Sequence, residues 1–409
     1  MKQNRILAIH RYFWPDTPPY ASMLRVIARH WVRDGHEVYV LSSQPSYKPE
    51  AAIPKRPAKE ELEGIHVRRM NLPKNEANRF VKLVNMAFFT LGCFLRIVFG
   101  KKYDFVMAST VPQVILGAAC CLACTIRGSR FIYHCMDIHP EIGRISGEFS
   151  GKFIFTLLQK IDSWTCKHAY KVVVLSQDME KALHSRPASG KVDVEIINNF
   201  ALPVFESEGP MDRLPGPQKK EDVIRFVFAG NIGRFQNLDL IVDALASIDN
   251  QSDIEILFVG EGKAKPTLQD RAGSLLNKQI FFLPHQPLSV AKKIIQTADM
   301  GIISLTPGII SYAYPSKTMT YLAEGCPLFA IVEQKSELAD FIHKENLGLS
   351  CAPNDVQGIA QNFAYLLQNR HKIDDYRKSA VAKGKDYFDQ ERILQRWSQV
   401  PISRQAQGV

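Results

Sequence analysis

Short apolar segments alternate with helix-periodic ones along nearly the whole chain, and the series runs twice. Residues 6–9, 38–41, 65–70, 105–108, 131–135, 172–175 and 194–197 read as strands of a first series. Residues 21–32 lie between the first two strands, with Met23, Ile27 and Trp31 recurring at the helical spacing of four. Residues 114–125 and 177–184, the latter capped by Ser176, are further helices. Strand, loop, helix, strand in this rhythm builds parallel βαβ units, whose ligands bind where the loops leave the carboxyl ends of the strands. From 206 to 222 the chain is proline, glycine and charge, a linker. A second series follows, with strands at 224–228, 254–259, 280–282, 300–305 and 328–332. The expected organisation is one α/β domain over 1–205, the linker 206–222, and a second α/β domain over 223–385. Residues 386–409 then supply an amphipathic helix (386–399, with Phe388, Ile393, Leu394 and Trp397) that packs back toward the first domain, and a tail that reads as disordered from 403.

Composition agrees with two full cores: 409 residues, 46% hydrophobic and 22% charged. The net charge is +10, and residues 44–104 alone hold 12 Lys/Arg against 6 Asp/Glu. That bias favours phosphates, anionic lipid or nucleic acid as partners. Nucleic acid is set aside, because no binding module or basic–aromatic alternation accompanies the charge. Residues 44–79 read as a basic surface loop holding one strand. Residues 80–99 are strongly apolar, interrupted by Arg96 and flanked by Lys82, Lys101 and Lys102. The uninterrupted part is short for a bilayer span; a helix lying in the membrane interface and a core helix both fit. The eight cysteines have no regular spacing and read as reduced thiols, with Cys121 and Cys124 on a packed helix face. The start, Met-Lys-Gln-Asn-Arg, lacks the apolar core of a signal peptide.

Chemistry concentrates at a few loop edges. Pro315-Ser316-Lys317 opens a helix whose Met319, Leu322 and Ala323 share one face, and Gly325 with Pro327 closes it before an apolar strand. Free N–H groups at such a start, with Lys317 beside them, suit an anion. Gly230, Asn231, Gly233 and Arg234 form a glycine-containing turn between strand and helix, and Gly260-Glu261-Gly262-Lys263 repeats it. Glycine there lets backbone approach a phosphate. Three such edges in one domain suit a sugar nucleotide. In the first series, Asp137, His139 and Glu141 follow the strand at 131–135 and form a candidate catalytic edge, with Asp137 or Glu141 as a helix cap the alternative. Arg25, in the second turn of the first helix, is placed either to reach an acidic ligand or to face solvent.

Taken together, these pieces resemble the GT-B glycosyltransferases of family 4, and within them the WbuB-like enzymes of bacterial surface-polysaccharide synthesis. The matching residues are 35–38 (Gly-His-Glu-Val), 137–141 (Asp-Ile-His-Pro-Glu), 198–200 (Asn-Asn-Phe), 229–233 (Ala-Gly-Asn-Ile-Gly), 259–262 (Val-Gly-Glu-Gly), Ala298-Asp299, and 315–323 from Pro-Ser-Lys to Tyr-Leu-Ala. The resemblance implies two Rossmann-like domains with parallel sheets facing a cleft, the first binding the acceptor and the second a nucleotide sugar. It implies retaining, metal-independent transfer of a hexosyl or N-acetylhexosaminyl group, without a cofactor, from a UDP-sugar to a lipid-linked or glycan acceptor. The chain would work peripherally at the cytoplasmic face of the membrane, which the 79–102 stretch would meet.

In that reading Lys317 and Arg234 steady the donor diphosphate, with Gly230, Asn231, Gly233, Gly260, Pro315, Ser316, Thr318 and Thr320 around the donor. Asp137 stands nearest the reacting carbon on the acceptor side, with His134, His139, Glu141 and Arg25. A buried, hydrogen-bonded role is the plain alternative for His134. Glu261 is a base or sugar contact, or a solvated turn carboxylate. Three positions depart from the family pattern: Thr320 replaces the glutamate that holds the ribose, and Asn231 and Gln236 replace two diphosphate-binding basic residues. Those departures motivate two other readings, a non-catalytic GT-B subunit that binds membrane or a partner enzyme, and a sugar-nucleotide epimerase.

Overall fold

The structure, a computed structural model, describes residues 3–16, 18–46, 55–73, 79–147, 151–187, 192–204 and 213–402; of Arg79, Arg234 and Lys385 it describes the backbone alone. Part of the expected linker, 206–212, and the tail 403–409 lie outside these residues. The chain forms two compact units, Met1–Leu202 with Gln390–Val409, and Pro203–Asp389.

The first unit begins β1 (Arg5–Ile9), α1 (Pro19–Arg33), β2 (Glu37–Ser43), β3 (Lys59–Leu62), β4 (Ile65–Met70) and α2 (Arg79–Phe99). It continues β5 (Phe105–Ser109), α3 (Ile115–Arg127), β6 (Arg130–His134), α4 (Glu141–Ile145), α5 (Lys152–His168), β7 (Lys171–Val174), α6 (Gln177–His184) and β8 (Val194–Ile196). The strand order is β3-β4-β2-β1-β5-β6-β7-β8, parallel except for β3. The expected strands are present, and β3 is additional. Glu63 and Gly64, at φ +53° and +80°, make the two-residue turn that folds β3 back on β4. A Cβ on Gly64 would press to 2.8 Å from Val32 Cγ1, so glycine serves both the turn and the packing.

Right-handed crossovers put α1 on one face of this sheet and α3 on the other, because β1 to β2 and β5 to β6 step in opposite directions. α3 lies between α2 and α5 and packs against both. α2 is a single 21-residue helix that runs through Arg96, long and apolar enough to cross a membrane by length and composition, so the short-span expectation is corrected. It seats one stripe, Asn85, Phe89, Cys93 and Ile97, and exposes Phe80, Leu83, Phe88, Leu91, Leu95 and Phe99. Cys121 and Cys124 are buried on α3 as expected, and burial pushes the Cys121 thiol up to about 12.

The second unit carries β9 (Ile224–Ala229), α7 (Asp239–Ala246), β10 (Ile254–Val259), α8 (Lys265–Ala272), β11 (Ile280–Leu283), α9 (Leu288–Gln296) and β12 (Met300–Ser304). After them come α10 (Lys317–Ala323), β13 (Leu328–Ile331), α11 (Glu337–Lys344), β14 (Gly348–Cys351), α12 (Val356–Gln368) and α13 (His371–Tyr387). Its sheet is wholly parallel, in the order β11-β10-β9-β12-β13-β14. A buried aromatic cluster centres it, with Phe329 and Phe363 stacked at 5.3 Å and Phe226 edge-on to both.

α13 runs to Tyr387, and the last helix, α14 (Gln390–Gln399), starts four residues later than the pattern suggested. α14 belongs to the first unit. Trp31 Nε1 donates to Trp397 O (3.0 Å), His30 Nε2 meets Ser398 Oγ (2.7 Å), and Asn4 Nδ2 donates to Pro401 O (2.9 Å).

Candidate active site

In each unit the strand order reverses once, between β1 and β5 and between β9 and β12. Such switch points open a crevice beyond the strands' carboxyl ends.

In the second unit three features meet there. Gly230, just after β9, has φ +140°, and Gly260, just after β10, has φ +144°. Gly230 N donates to Val259 O (2.9 Å) and Gly260 N to Leu283 O (3.0 Å). A Cβ on Gly260 would run into the Gly230 carbonyl, and one on Gly262 into the Ile232 carbonyl. The two turns are stitched by Ile232 N to Glu261 O (2.9 Å) and Ala264 N to Ile232 O (3.1 Å). The Asn231 side chain fills the space beside them, its Nδ2 2.9 Å from where a Gly233 Cβ would stand.

The third feature is α10. Its first helical residue is Lys317, after Ser316, so Pro315 precedes the helix rather than opening it; Thr318 N turns back to Pro315 O (3.0 Å). Tyr321 fixes the helix: Ala229 N donates to its hydroxyl (3.0 Å) and its ring packs on Gly301 of β12. Lys317 is one turn earlier on the same face. Its Nζ sits over the Phe228 ring at 4.4 Å and 3.3 Å from where a Gly230 Cβ would stand. No carboxylate among the described residues pairs with it. Burial lowers its pKa from 10.5 to about 8. An ammonium in this setting is short of one negative ligand.

The other donor-side residues divide. Ser316 is exposed and Thr320 half-buried on α10. Thr318 is fully buried, and its Oγ1 has no partner. Glu261 is solvent-exposed and accepts from Lys265 Nζ (2.8 Å), the solvated-turn alternative. Sequence reasoning overlooked Glu333, after β13: one carboxylate oxygen accepts from Gly308 N, and the other is buried without a partner. Its signal was weak, a single acid after an apolar strand.

The switch point of the first unit is filled. His10, at the end of β1, hydrogen-bonds through Nδ1 to Ser109 Oγ at the end of β5. Tyr20 of α1 packs on His10 and places its hydroxyl 2.8 Å from His134 Nδ1. His134 is fully buried, and Trp397 of α14 lies edge-on at 4.7 Å. Burial holds both histidines far below their ordinary range, at about 3. His134 is thus a packed, neutral group, as in its plain alternative, with Nδ1 on Tyr20 and Nε2 buried without a partner.

Beyond it, Glu141 is consumed by a buried ion network. Arg186 forks onto Glu141 (2.6 and 2.9 Å), reaches Asp162 (2.6 Å) and donates to His139 O (2.8 Å); Tyr133 OH completes Asp162 (2.8 Å). This network makes Glu141 a structural partner of Arg186, correcting its acceptor role. Arg25 is held by Glu63 (2.9 Å) and stacked over Trp14 at 4.8 Å, so it is tied into the fold rather than reaching outward. His139 stays buried with Nδ1 unpartnered, its pKa lowered to about 4 by burial. Asp137 is half-buried, and burial raises its carboxyl to about 6.

Two family models cover these units. Residues 20–199 match a "glycosyl transferase 4-like domain" and residues 224–369 "glycosyl transferases group 1". The chain belongs to the GT-B glycosyltransferases. Sucrose-phosphate synthase from Thermosynechococcus elongatus superposes with a TM-score of 0.72 at 14% identity, over 97% of this chain and 98% of that one. HepE of Anabaena in complex with UDP-glucose superposes at 0.66 with 16% identity, over 97% and 98%. In sequence, the probable glycosyltransferase WbjE of Pseudomonas aeruginosa is 24% identical over 64% of this chain and 65% of its own length, just under two thirds. This GT-B chain therefore shares its architecture with both superposed proteins, one of them captured with UDP-glucose, at identities that speak to fold.

Proposed function

We propose that this protein moves a hexosyl or N-acetylhexosaminyl group from a UDP-sugar to a lipid-linked or glycan acceptor. The transfer retains the anomeric configuration, needs no metal or cofactor, and belongs to bacterial exopolysaccharide, capsule or O-antigen synthesis, in the WbuB-like branch. The work is done at the cytoplasmic face of the membrane. The observation that carries the donor reading is the unpaired ammonium of Lys317 beside the Gly230 and Gly260 turns.

Leaving-group stabilisation is the chemistry this arrangement supports. As the bond from the anomeric carbon to the diphosphate stretches, negative charge grows on the leaving oxygen. A preorganised cation and backbone N–H groups lower that barrier without reorganising at the moment of reaction. Asp137 accepts a hydrogen bond from the acceptor hydroxyl, and the ionised carboxylate does so about twice as strongly as the protonated acid. With its pKa near 6, turnover rises with pH through that value and levels above it.

The test is direct. Calorimetric titration with UDP measures donor-site binding, and NMR of product formed with a lipid-linked acceptor, in chelator, reads the anomeric outcome. Saturable UDP binding and a retained configuration are expected. Inversion, or metal dependence, would refute the mechanism. Failure to bind UDP or any other nucleoside diphosphate would leave a non-catalytic subunit, the reading that Thr320 and Gln236 motivate. Product without acceptor would indicate an epimerase. An Asp137→Asn variant should lose the rise near pH 6.

A further inference from the structure

Among the described residues sixteen large apolar side chains are exposed, and twelve of them lie on α2, α3 and α5. That concentration is not what a solvated surface shows; single exposed leucines are ordinary, a shared face is not. The helices are neighbours, with α3 in the middle. α3 adds Leu122 and Ile126 to the α2 stripe, and α5 adds Phe153, Ile154, Leu157 and Trp164, with Phe153 79% exposed.

Charge separates one kind of partner from the others. The three helices contain a single acidic residue, Asp162, and it is buried against Arg186. Their exposed charges are all basic: Lys82, Arg127, Lys152, Lys160 and Lys167, continued by Lys101 and Lys102 after α2. An apolar centre with a rim of one sign fits a bilayer interface whose headgroups carry the opposite sign. A second copy seated on the same face would leave those lysines facing one another.

The packing also sets how α2 would lie. Its inner stripe is sealed onto the domain: Gly92 lets the helix settle against Met70 of β4, and Asn85 Nδ2 donates to Pro73 O (3.0 Å). Spanning a membrane would strip those contacts, whereas lying in the interface keeps them and immerses only the outer face.

We propose that the outer face of α2, α3 and α5 together forms one docking surface for an anionic lipid bilayer, with α2 in the plane of the interface. This deepens the membrane side of the proposed function and is independent of the donor reading.

Sedimentation of the full-length protein with vesicles tests it, with no donor or acceptor present. Phosphatidylcholine vesicles containing 30% phosphatidylglycerol should bind it at least tenfold more tightly than phosphatidylcholine alone, about fivefold being lost per lysine neutralised. High salt or alkaline carbonate should release the protein. The double variant Phe153→Ser, Leu157→Ser changes α5 only and should bind vesicles at least about tenfold more weakly, since each ring or branched chain withdrawn from the bilayer is worth that much. Its UDP titration should match the unchanged protein, which reports a folded second unit, and its circular dichroism reports the first. Equal binding to both vesicle types, no binding to either, or an α5 variant that binds as before would overturn the proposal. So would resistance to carbonate, which marks a spanning α2, or a dimer that the α5 variant converts to monomer. UDP binding fails or survives separately, so the donor reading and the docking surface are judged apart.

Discussion

The two units place their strand reversals alike and fill them differently. In the first, His10 and Ser109 hydrogen-bond across the ends of β1 and β5, and Tyr20, His134 and Trp397 pack over them. In the second, Gly230 and Gly260 leave no side chain at the same place, and Lys317 reaches Gly230 with no acidic partner among the described residues. The same contrast separates the buried cations. Arg186 is saturated by Glu141 and Asp162, and Arg225 by Glu255 at 2.5 Å. A buried charge whose partners belong to the chain supports the fold, whereas one without them is held in readiness for a ligand.

The largest expected effect falls on the saturated side. Arg186→Met strands Glu141 and Asp162 in the interior and should cost about 3–5 kcal/mol in denaturant unfolding. UDP affinity in the surviving folded fraction should not change. A loss of UDP affinity with intact stability would put Arg186 in the site and break the comparison.

Lys317→Met should act in reverse. Transfer should fall about 10²–10³-fold, the usual cost of one leaving-group donor. The ligand-free protein should meanwhile gain about 1–2 kcal/mol, because a partly desolvated, unpaired ammonium is removed. A variant both inactive and less stable would mean that Lys317 was a structural group after all.

The same group makes the comparison pH-dependent. Its folded pKa, about 8, lies below the unfolded value of 10.5. Between those two values the unfolded chain binds more protons, so ligand-free stability should rise with pH across that window. UDP binding should run the other way, weakening up to about tenfold per unit above pH 8 as the cation is lost. In Lys317→Met both slopes should flatten, which thermal unfolding and calorimetry across pH 7–10 would register.

What the sequence disclosed follows the same division. Buried parallel strands are continuous apolar runs, so their positions were legible, and so were Lys317 and the glycine turns, whose chemistry is local. β3, Lys-Glu-Glu-Leu at an antiparallel edge, has no apolar run to announce it. α5 escaped notice because half its apolar residues point outward, which blurs the helical period that reports a core face. The roles of Glu141 and His134 were set by Arg186, 45 residues away, and by Tyr20, 114 residues away. No local pattern carries such partners, so the ion network around Glu141 and the burial of His134 were not legible near their strand end.

The smallest expected effect is the sharpest at the donor edge. Glu261 adjoins both glycine turns, which gave it the look of a base or a sugar contact. Its carboxylate instead points to Lys265 at the start of α8, largely in water. An exposed pair of that kind is worth at most about 1 kcal/mol. Glu261→Gln should therefore leave UDP affinity and transfer within about twofold and barely move the unfolding midpoint. Gly260→Ala should not share that tolerance, since its Cβ meets the Gly230 carbonyl at a φ that disfavours alanine. If the neutral glutamine impaired transfer as much as the loss of Lys317 does, the carboxylate would have to leave Lys265 and meet the sugar during the reaction. The donor edge would then need an acid as well as a cation, and the second unit would be less simply the unpaired counterpart of the first.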